Sequence, residues 1–456
     1  MNDIIQYVLD MGAAVFLPIV MIILGLILRM PFKKSFSAAL TLGVAFTGMG
    51  ILIGFMFSAV SPAAEAMVET TGVSLPTLDM GWTPIATIAW AWPYAFFLFP
   101  LQIGINMAMI ALGWTKCLNV DLWNVWAKVI AGVLIVSMTG SLTIAFVGCA
   151  IMVVLELKNG DLLQSRVQEM TGIPSITVPH AMMAAGVFIA PLNKLFDRIP
   201  YLAKIDMDAE GLKQKIGVFG ETHVLGFIIG ALIGVMIGWG LQQVLVLAVA
   251  SGSALMLFPV IAKFFMQALS PFADAATEFM QKRFPNREVF IGLDWPVLAG
   301  RPEVWVSMIV LAPITMIMSF VLPFNEVLAF GGILQVCYAP VALLIFKGNL
   351  IRMILGGLVV IPMFLFTGTM FAPAITELAI AVGTIDIPSG QLITWQGLQG
   401  SSYIFAFISA AQAALGQGVQ HLWFAVGFVV LAIAYVKILK KEDGQEVEEE
   451  LSRKNA

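Results

Sequence analysis

The chain has 456 residues, of which 60% are hydrophobic and only 11% are charged. A soluble protein of this length carries about 25% charged residues, so the composition excludes an ordinary soluble domain. It predicts an all-α polytopic membrane protein. The formal net charge of −4 is small and gives no argument for a nucleic-acid partner, and none is expected. The three cysteines are widely spaced in apolar segments, which predicts buried thiols rather than a disulfide framework or a metal site.

Apolar runs long enough to cross a bilayer, which takes roughly 20 residues, recur along the whole chain. The clear runs are 8–29, 38–60, 84–113, 128–155, 222–242, 244–268, 303–323, 326–346, 350–372 and 419–439. Two further apolar stretches, 173–193 and 385–415, are broken by Pro, Gly, Ser and Gln. Together these runs predict about 11 transmembrane helices plus re-entrant hairpins.

The polar segments give the expected orientation in the membrane. Residues 194–221 form the most polar interior segment, with five Lys and Arg against four acids between Lys194 and Lys215. The positive-inside rule places this loop in the cytoplasm. The last residues, 441–456, are predicted to be a charged, solvated cytoplasmic tail.

The two halves of the chain resemble each other at four places that occur in the same order. The matched pairs are FMFSAVSPAAEAM (55–67) with FFMQALSPFADAA (264–276), GWTP (81–84) with LDWP (293–296), NVWAKVIAGVLIV (124–136) with NLIRMILGGLVVI (349–361), and IPSITVPH (173–180) with IPSGQLITW (387–395). The order predicts an internal duplication, with a first repeat at 1–200 and a second at 205–440.

The charges after the two Ser-Pro segments differ in sign. Acids follow the first copy and Lys and Arg follow the second, which puts the two loops on opposite sides of the membrane and favours an inverted repeat. Such repeats hold their substrate near mid-membrane between discontinuous helices. The broken stretches 173–193 and 385–402 are then the expected re-entrant elements.

Ionisable and amide side chains within these apolar surroundings are the candidate site residues. A charged group at membrane depth costs at least ~2.5–3.5 kcal/mol and usually marks a transport pathway. The first repeat supplies Asp121, Asn124 and His180, and the second supplies Glu221, Asp294, Gln391 and Thr394.

Each of these side chains also has a purely structural interpretation. His180 can cap a helix end, Glu221 can be the acid that favours a helix N-terminus, and Asp294 can be an N-cap before Pro296. Asp121 and Asn124 lie between tryptophans, which are common at the membrane interface. His223 and His421 fit interfacial positions better than a site.

A neutral polyhydroxylated ligand would need this chemistry. Carboxylates and amides exchange hydrogen bonds with vicinal hydroxyls, and an unpartnered polar group in a dry cavity costs about 1–3 kcal/mol, which gives discrimination among stereoisomers. A carboxylate or imidazole can also take the proton of a hydroxyl as general base. His180, Asp294 and Glu221 are the candidates for that base.

Several motifs together resemble one known family. They are VLDMGAAVFLPIV (8–20), SPAAEAM, NVDLWNVW, IPSITVPH, FGE and FIGLD. The chain resembles the galactitol-type enzyme IIC, the membrane subunit of the bacterial phosphoenolpyruvate-dependent sugar phosphotransferase system, which is related to the ascorbate-type transporters. This sequence has Gly220-Glu221-Thr222 and Pro179-His180-Ala181 where the family pattern often has Gly-Glu-Pro and Pro-His-Gly.

The resemblance implies a multi-pass permease of the bacterial inner membrane, built as a homodimer with a dimerisation domain and a core domain that carries the ligand. The core would move galactitol or a similar polyol to the cytoplasm. A separate IIB subunit, itself served by IIA, would then phosphorylate the polyol from a phosphocysteine. No cofactor is expected. The alternative is an ion-coupled secondary transporter of a small polar solute, in which Glu221 and Asp294 would carry a proton or Na⁺.

Overall fold

A computed structural model gives the fold of most of the chain. It describes residues 13–27, 29–71, 75–90, 92–119, 121, 123–204, 221–283, 289–329, 332, 335–382, 387, 392–398 and 400–455. Helices dominate this part of the chain, as the composition predicts. The strands are all short, from two to three residues each.

The first half contains eight α-helices and three strands within the described residues. In chain order they are α1 (Ala13–Ile27), α2 (Phe32–Thr71), β1 (Thr77–Asp79), α3 (Trp82–Trp90), α4 (Leu98–Ala111), β2 (Cys117–Asn119), α5 (Trp126–Thr139), α6 (Leu142–Thr171), β3 (Ile176–Thr177), α7 (Gly186–Asp197) and α8 (Pro200–Lys204). Short 3₁₀ turns occur at Ala95–Phe97, Trp123–Val125 and Ala181–Ala185.

The described part of the second half contains seven α-helices and three strands. They are α9 (Thr222–Met236), α10 (Leu241–Arg283), β4 (Phe290–Gly292), α11 (Pro302–Val321), β5 (Val327–Leu328), α12 (Ala339–Phe346), α13 (Leu350–Val382), β6 (Leu392–Thr394), α14 (Ser401–Ala414) and α15 (Leu422–Asn455). The 3₁₀ turns are Trp295–Leu298 and Val419–His421.

Four helical segments of the described residues are long and apolar enough to cross a membrane. They are Leu142–Thr171, Pro302–Val321, Leu350–Ala381 and Val419–Gly444. The last of these is the least covered by the rest of the chain, with 11% of its most apolar window buried. These segments confirm that the chain is a mostly helical membrane protein.

Three predicted spans are not single helices. The run 128–155 is divided between α5 and α6 at Gly140, whose φ of 69° is left-handed. The next residue, Ser141, caps α6 by accepting a hydrogen bond from the Ile144 amide at 3.3 Å. The run 84–113 is interrupted after α3, close to Pro93, whose missing N–H cannot continue a helix. The run 326–346 includes β5, and the helix α12 covers its last eight residues.

Six strands form two small parallel sheets, which the apolar runs did not predict. In one sheet the order is β2-β4-β3, so the central strand comes from the second half and its neighbours from the first. In the other sheet the order is β5-β1-β6, so the central strand comes from the first half and its neighbours from the second. Each half of the chain therefore supplies the central strand of one sheet and both edge strands of the other sheet.

The core surrounds these sheets. Every residue of α12 is buried, and α5 is buried over most of its length. Both helices therefore lie inside the molecule with the strand ends, whereas the outer face of α15 is open to its surroundings. The sheets and their polar side chains are thus enclosed by helices on the inside of the fold.

The charged tail continues α15 as a helix to Asn455. Two of its acids are held by a buried cation, because the Arg166 guanidinium lies 2.7 Å from Glu442 and 3.2 Å from Asp443. Arg166 belongs to α6, and its side chain is 1% exposed. The start of the tail is therefore attached to the core and is less solvated than the sequence predicts.

Candidate functional site

Three predicted site residues meet at one edge of the sheet β2-β4-β3. Asp121 follows β2, His180 follows β3 and Asp294 follows β4. The strands are parallel, and both Asn119 and Thr177 pair with Gly292. The chain therefore leaves all three strands at the same edge. One carboxylate oxygen or ring nitrogen from each of the three side chains lies within 4.8 Å of the others. We call these three residues the polar cluster.

Asp294 is oriented by the turn that it begins. It is the N-cap of the 3₁₀ turn Trp295–Leu298, and its Oδ1 accepts a hydrogen bond from the Trp295 amide at 2.6 Å. Its side chain is 15% exposed, whereas the neighbouring His180 side chain is only 1% exposed. Asp294 is therefore both the N-cap of this turn and a member of the polar cluster.

His180 caps the turn Ala181–Ala185 through its ring. Its Nδ1 accepts a hydrogen bond from the Met182 amide at 3.3 Å. The other nitrogen, Nε2, lies 3.2 Å from Asp294 Oδ1 but has no partner in hydrogen-bond geometry among the described residues. The side chain is 1% exposed, so an unsatisfied polar atom is buried inside the cluster.

Asp121 is held by Asn124 on the next turn of the chain. Its Oδ2 accepts from the Asn124 side-chain amide at 2.5 Å, and its Oδ1 accepts from the Asn124 backbone amide at 3.2 Å. The Asp121 amide in turn donates to Asn119 Oδ1 at 3.0 Å. Both carboxylate oxygens of Asp121 are therefore already engaged by Asn124.

A buried ion pair lies behind Asn124, and sequence reasoning missed it. The Lys128 ammonium lies 2.7 Å from Glu156 Oε2, and the two side chains are only 2% and 4% exposed. Lys128 Nζ also donates to the Asn124 carbonyl at 3.2 Å. The sequence does show a lysine and a glutamate inside the apolar runs of α5 and α6, which could have marked them as candidate buried residues. Their pairing across 28 residues could not be predicted from the sequence.

A cavity of about 140 Å³ opens beside the cluster. It is lined by both His180 and Glu156, with Asn159, Tyr403 and Tyr435 among the other lining residues. Glu156 Oε1 is buried without a hydrogen-bond partner in the described part of the chain. The cavity therefore brings two buried polar groups next to space that a small molecule or water can occupy.

Two other predicted site residues, Glu221 and Thr394, make their side-chain contacts outside the cluster. Glu221 immediately precedes α9, where its carboxylate is 3.5 Å from His223 Nε2 and both side chains are substantially exposed. Thr394 lies in β6 of the other sheet, and its hydroxyl donates to the Gly368 carbonyl at 2.8 Å. Gln391 lies outside the described residues. The structure thus groups Asp121, Asn124 and His180 with Asp294, but not with Glu221 or Thr394.

The other sheet has its own buried carboxylate, which the sequence analysis did not select. Asp79 ends β1, is fully buried, and accepts hydrogen bonds from the backbone amides of Gly81 at 3.1 Å and Gly332 at 3.0 Å. Nearby, the Gln396 amide donates to the Gly332 carbonyl at 3.0 Å. Each oxygen of Asp79 is thus bound by the backbone, which is the pattern of a structural carboxylate.

Buried carboxylates, an imidazole and an ion pair inside a multi-pass helical protein define a membrane transport protein, because such groups are costly in a bilayer and line solute pathways. Residues 7–390 match the family of PTS system sugar-specific permease components, EIIC-GAT. The chain belongs to this family. It is therefore a bacterial membrane protein and the sugar or polyol permease subunit of a phosphotransferase system that works with a IIB partner.

Curated relatives cover most of the chain. A putative permease IIC component of Escherichia coli (strain K12) is 32% identical over 383 residues, which are 83% of this chain and 87% of the relative. The PTS system galactitol-specific EIIC component of the same strain is 31% identical over 408 residues, or 87% of this chain and 90% of the relative. The component of the same description from Escherichia coli O157:H7 has the same identity and coverage.

Proposed function

We propose that this permease binds a neutral polyol, galactitol or a close relative, at the polar cluster and delivers it to IIB for phosphorylation. The observation that carries the proposal is the meeting of Asp121, His180 and Asp294 within 4.8 Å at one sheet edge. The names of the two galactitol-specific relatives support the choice of ligand.

The charges of the cluster favour a neutral ligand. Asp121 and Asp294 are two carboxylates, and Lys128, the buried cation that contacts the Asn124 carbonyl, is already paired with Glu156. A sugar acid would bring a further negative charge into this poorly solvated place, where like charges repel strongly. A polyol carries no charge, and its hydroxyls can donate to carboxylates and accept from the imidazole N–H.

Trp295 provides an apolar surface next to the cluster. Its backbone amide is bound to Asp294, and its ring lies 6.4 Å from the ring of Trp305, centroid to centroid. An indole face can cover the C–H side of a polyol while the carboxylates bind its hydroxyls. This division of contacts would distinguish stereoisomers, because a misplaced hydroxyl leaves a buried polar group unpaired.

The proposed architecture is an inverted repeat of about 11 transmembrane helices, with halves near 1–200 and 205–440 and a tail at 441–456. The exchange of strands supports it, since each sheet combines one central strand from one half with two edge strands from the other. Matching hydrogen bonds add support: Thr177 donates to Gly160 in α6, and Thr394 donates to Gly368 in α13. A homodimer with separate core and dimerisation domains, as the family resemblance implies, completes this proposal.

Ligand binding to the purified full chain in lipid nanodiscs tests the proposed function. We expect galactitol or another neutral hexitol or pentitol to bind, and a sugar acid of the same length to bind far more weakly. Asp121→Ala should weaken polyol binding roughly 10- to 100-fold, since it leaves ligand and protein groups unpaired. Asp274→Ala, at an exposed position of α10, is the control and should bind as the parent protein does.

Uptake measurements separate group translocation from ion coupling. Polyol uptake by cells should disappear when the IIB partner is absent and persist when an uncoupler removes the proton gradient. Uptake that needs the gradient and not IIB would overturn the phosphotransferase mechanism for this chain. Glu221→Gln belongs in the same assay, because the ion-coupled alternative gives that carboxylate the coupling role.

A further inference from the structure

We infer that Asp294 is the general base of the phosphoryl transfer, and that His180 is a positioning residue which acts only as a hydrogen-bond donor. This inference rests on the proposed function, since it assigns roles within the same site. It follows from which atoms of the polar cluster are already engaged, and from the tautomer that one backbone hydrogen bond imposes on His180.

The tautomer of His180 is set by the turn that follows it. The Met182 amide donates to Nδ1 at 3.3 Å, so Nδ1 must offer its lone pair. In a neutral imidazole one nitrogen carries the proton and the other accepts. The proton of His180 is therefore on Nε2, the atom that lies 3.2 Å from Asp294 Oδ1. A ring in this state has no free lone pair with which to remove a proton from a ligand.

The free N–H of His180 is aimed into the cluster. Nε2 is buried and makes no hydrogen bond of good geometry within the described residues, although Asp294 Oδ1 is close. A buried donor without a partner costs free energy, which a ligand hydroxyl oxygen placed between the two carboxylates would remove. His180 thus fixes the position of a hydroxyl oxygen, and the proton of that hydroxyl then points towards a carboxylate.

Asp294 is better placed than Asp121 to receive that proton. Both oxygens of Asp121 accept hydrogen bonds from Asn124, so neither of them is free to receive a proton from the ligand. Asp294 uses Oδ1 for the Trp295 amide, and its Oδ2 accepts no hydrogen bond from any residue that the structure describes. With its greater exposure, Oδ2 of Asp294 is the acceptor left for the ligand.

The resulting step balances. The ligand hydroxyl gives its proton to Asp294 Oδ2 while its oxygen forms a new bond to phosphorus. The sulfur–phosphorus bond of the phosphocysteine that the family resemblance implies for IIB breaks, and the sulfur leaves as a thiolate with the bonding electrons. Asp121 remains ionised and holds a neighbouring hydroxyl. The Asp294 proton is later released to solvent.

Two conservative substitutions separate the roles. Asp294→Asn keeps the shape and one acceptor oxygen but is not basic, so galactitol binding should change by less than about tenfold while phosphorylation by IIB falls at least about 100-fold. His180→Gln keeps an N–H donor at a similar reach, so binding and phosphorylation should fall together and by less than about tenfold. His421→Gln, in the 3₁₀ turn just before α15, and Asp274→Asn are the matched controls.

The opposite pattern would overturn the inference: phosphorylation lost in His180→Gln with binding kept, and largely retained in Asp294→Asn. A second measurement needs no ligand and so stands even if the proposed substrate class is wrong. Nitrogen NMR of the full chain labelled at histidine, with His180→Gln to identify the signals, should show the His180 ring proton on Nε2 and none on Nδ1. A proton on Nδ1, alone or in an imidazolium, would contradict it.

Discussion

The two three-stranded sheets are built alike but end in different chemistry. In each sheet an edge-strand threonine donates to the carbonyl of a glycine in a long helix, Thr177 to Gly160 at 2.5 Å and Thr394 to Gly368 at 2.8 Å. Beyond these shared contacts, the carboxylate of Asp79 is bound at both oxygens by backbone amides. Asp294 is bound at one oxygen only. The comparison suggests one plan used twice, with binding capacity left at one edge only.

The largest expected effect is on the free energy of unfolding, which should depend more on Asp79 than on Asp294. Asp79→Ala leaves the Gly81 and Gly332 amides buried without acceptors, and each buried donor left without a partner costs about 1–3 kcal/mol. We therefore expect the free energy of unfolding to fall by about 2–6 kcal/mol. Denaturation in mild detergent, followed by tryptophan fluorescence, measures this change.

Asp294→Ala is the matched variant for that experiment. Asp294 is partly exposed and gives up one backbone hydrogen bond, so its loss should cost less than about 2 kcal/mol. Equal destabilisation by the two substitutions would mean that both carboxylates are structural, and would remove the contrast between the two sheets.

Lys128 is expected to have the next largest effect. Lys128→Met leaves the Glu156 carboxyl group without its partner in a place where it is 4% exposed, and breaking a buried pair in this way typically costs about 3–5 kcal/mol. The double variant Lys128→Met with Glu156→Leu should recover most of this loss, because no buried charge is left. A double-mutant cycle of unfolding free energies measures the coupling, and additive effects of the two substitutions would contradict the buried pair.

A third pair of variants compares the two helix glycines. An added Cβ at Gly160 would lie 3.1 Å from Pro179 Cβ, and one at Gly368 would lie 3.2 Å from Gln396 Cα. Both contacts are tight, so Gly160→Ala and Gly368→Ala should each destabilise the protein by about 1–3 kcal/mol. Only the first pushes on the residue before His180.

Ligand binding gives the sharper result for these two variants. Gly160→Ala should weaken polyol binding several-fold because it moves the segment that carries His180, whereas Gly368→Ala should leave binding within about twofold of the parent. Isothermal titration of both variants at equal fractions of folded protein makes the comparison. Equal loss of affinity in the two would show that the second sheet also shapes the ligand site.

The sequence predicted the residues of this site better than their arrangement. His180 and Asp294 were selected because ionisable groups at breaks in apolar runs are costly, and that reasoning does not depend on where the chain folds. Their meeting depends on β3 pairing with β4 across more than one hundred residues. Strands of two or three residues carry no periodic pattern from which such pairing can be read.

The helices show the same limit. Apolar runs located most of the helical regions, but a run such as 128–155 hides the turn at Gly140 and Ser141, because a glycine and a serine do not interrupt hydropathy. The importance of Asp79 was equally hidden. Its partners are backbone amides, one of them 253 residues away, so no side-chain pattern in the sequence points to it.

The smallest expected effect tests the predicted role of Thr394. Its hydroxyl donates to the Gly368 carbonyl, and the residue is fully buried, so its only donor is not free for a ligand. Thr394→Val and Thr177→Val each remove one buried hydrogen bond and should lower the free energy of unfolding by about 1 kcal/mol. Thermal melts of the two variants should therefore nearly coincide, and the affinity of Thr394→Val for a polyol should equal that of the parent. A clear loss of affinity in Thr394→Val, without a matching loss of stability, would restore this residue to the binding site. It would then extend that site across both sheets.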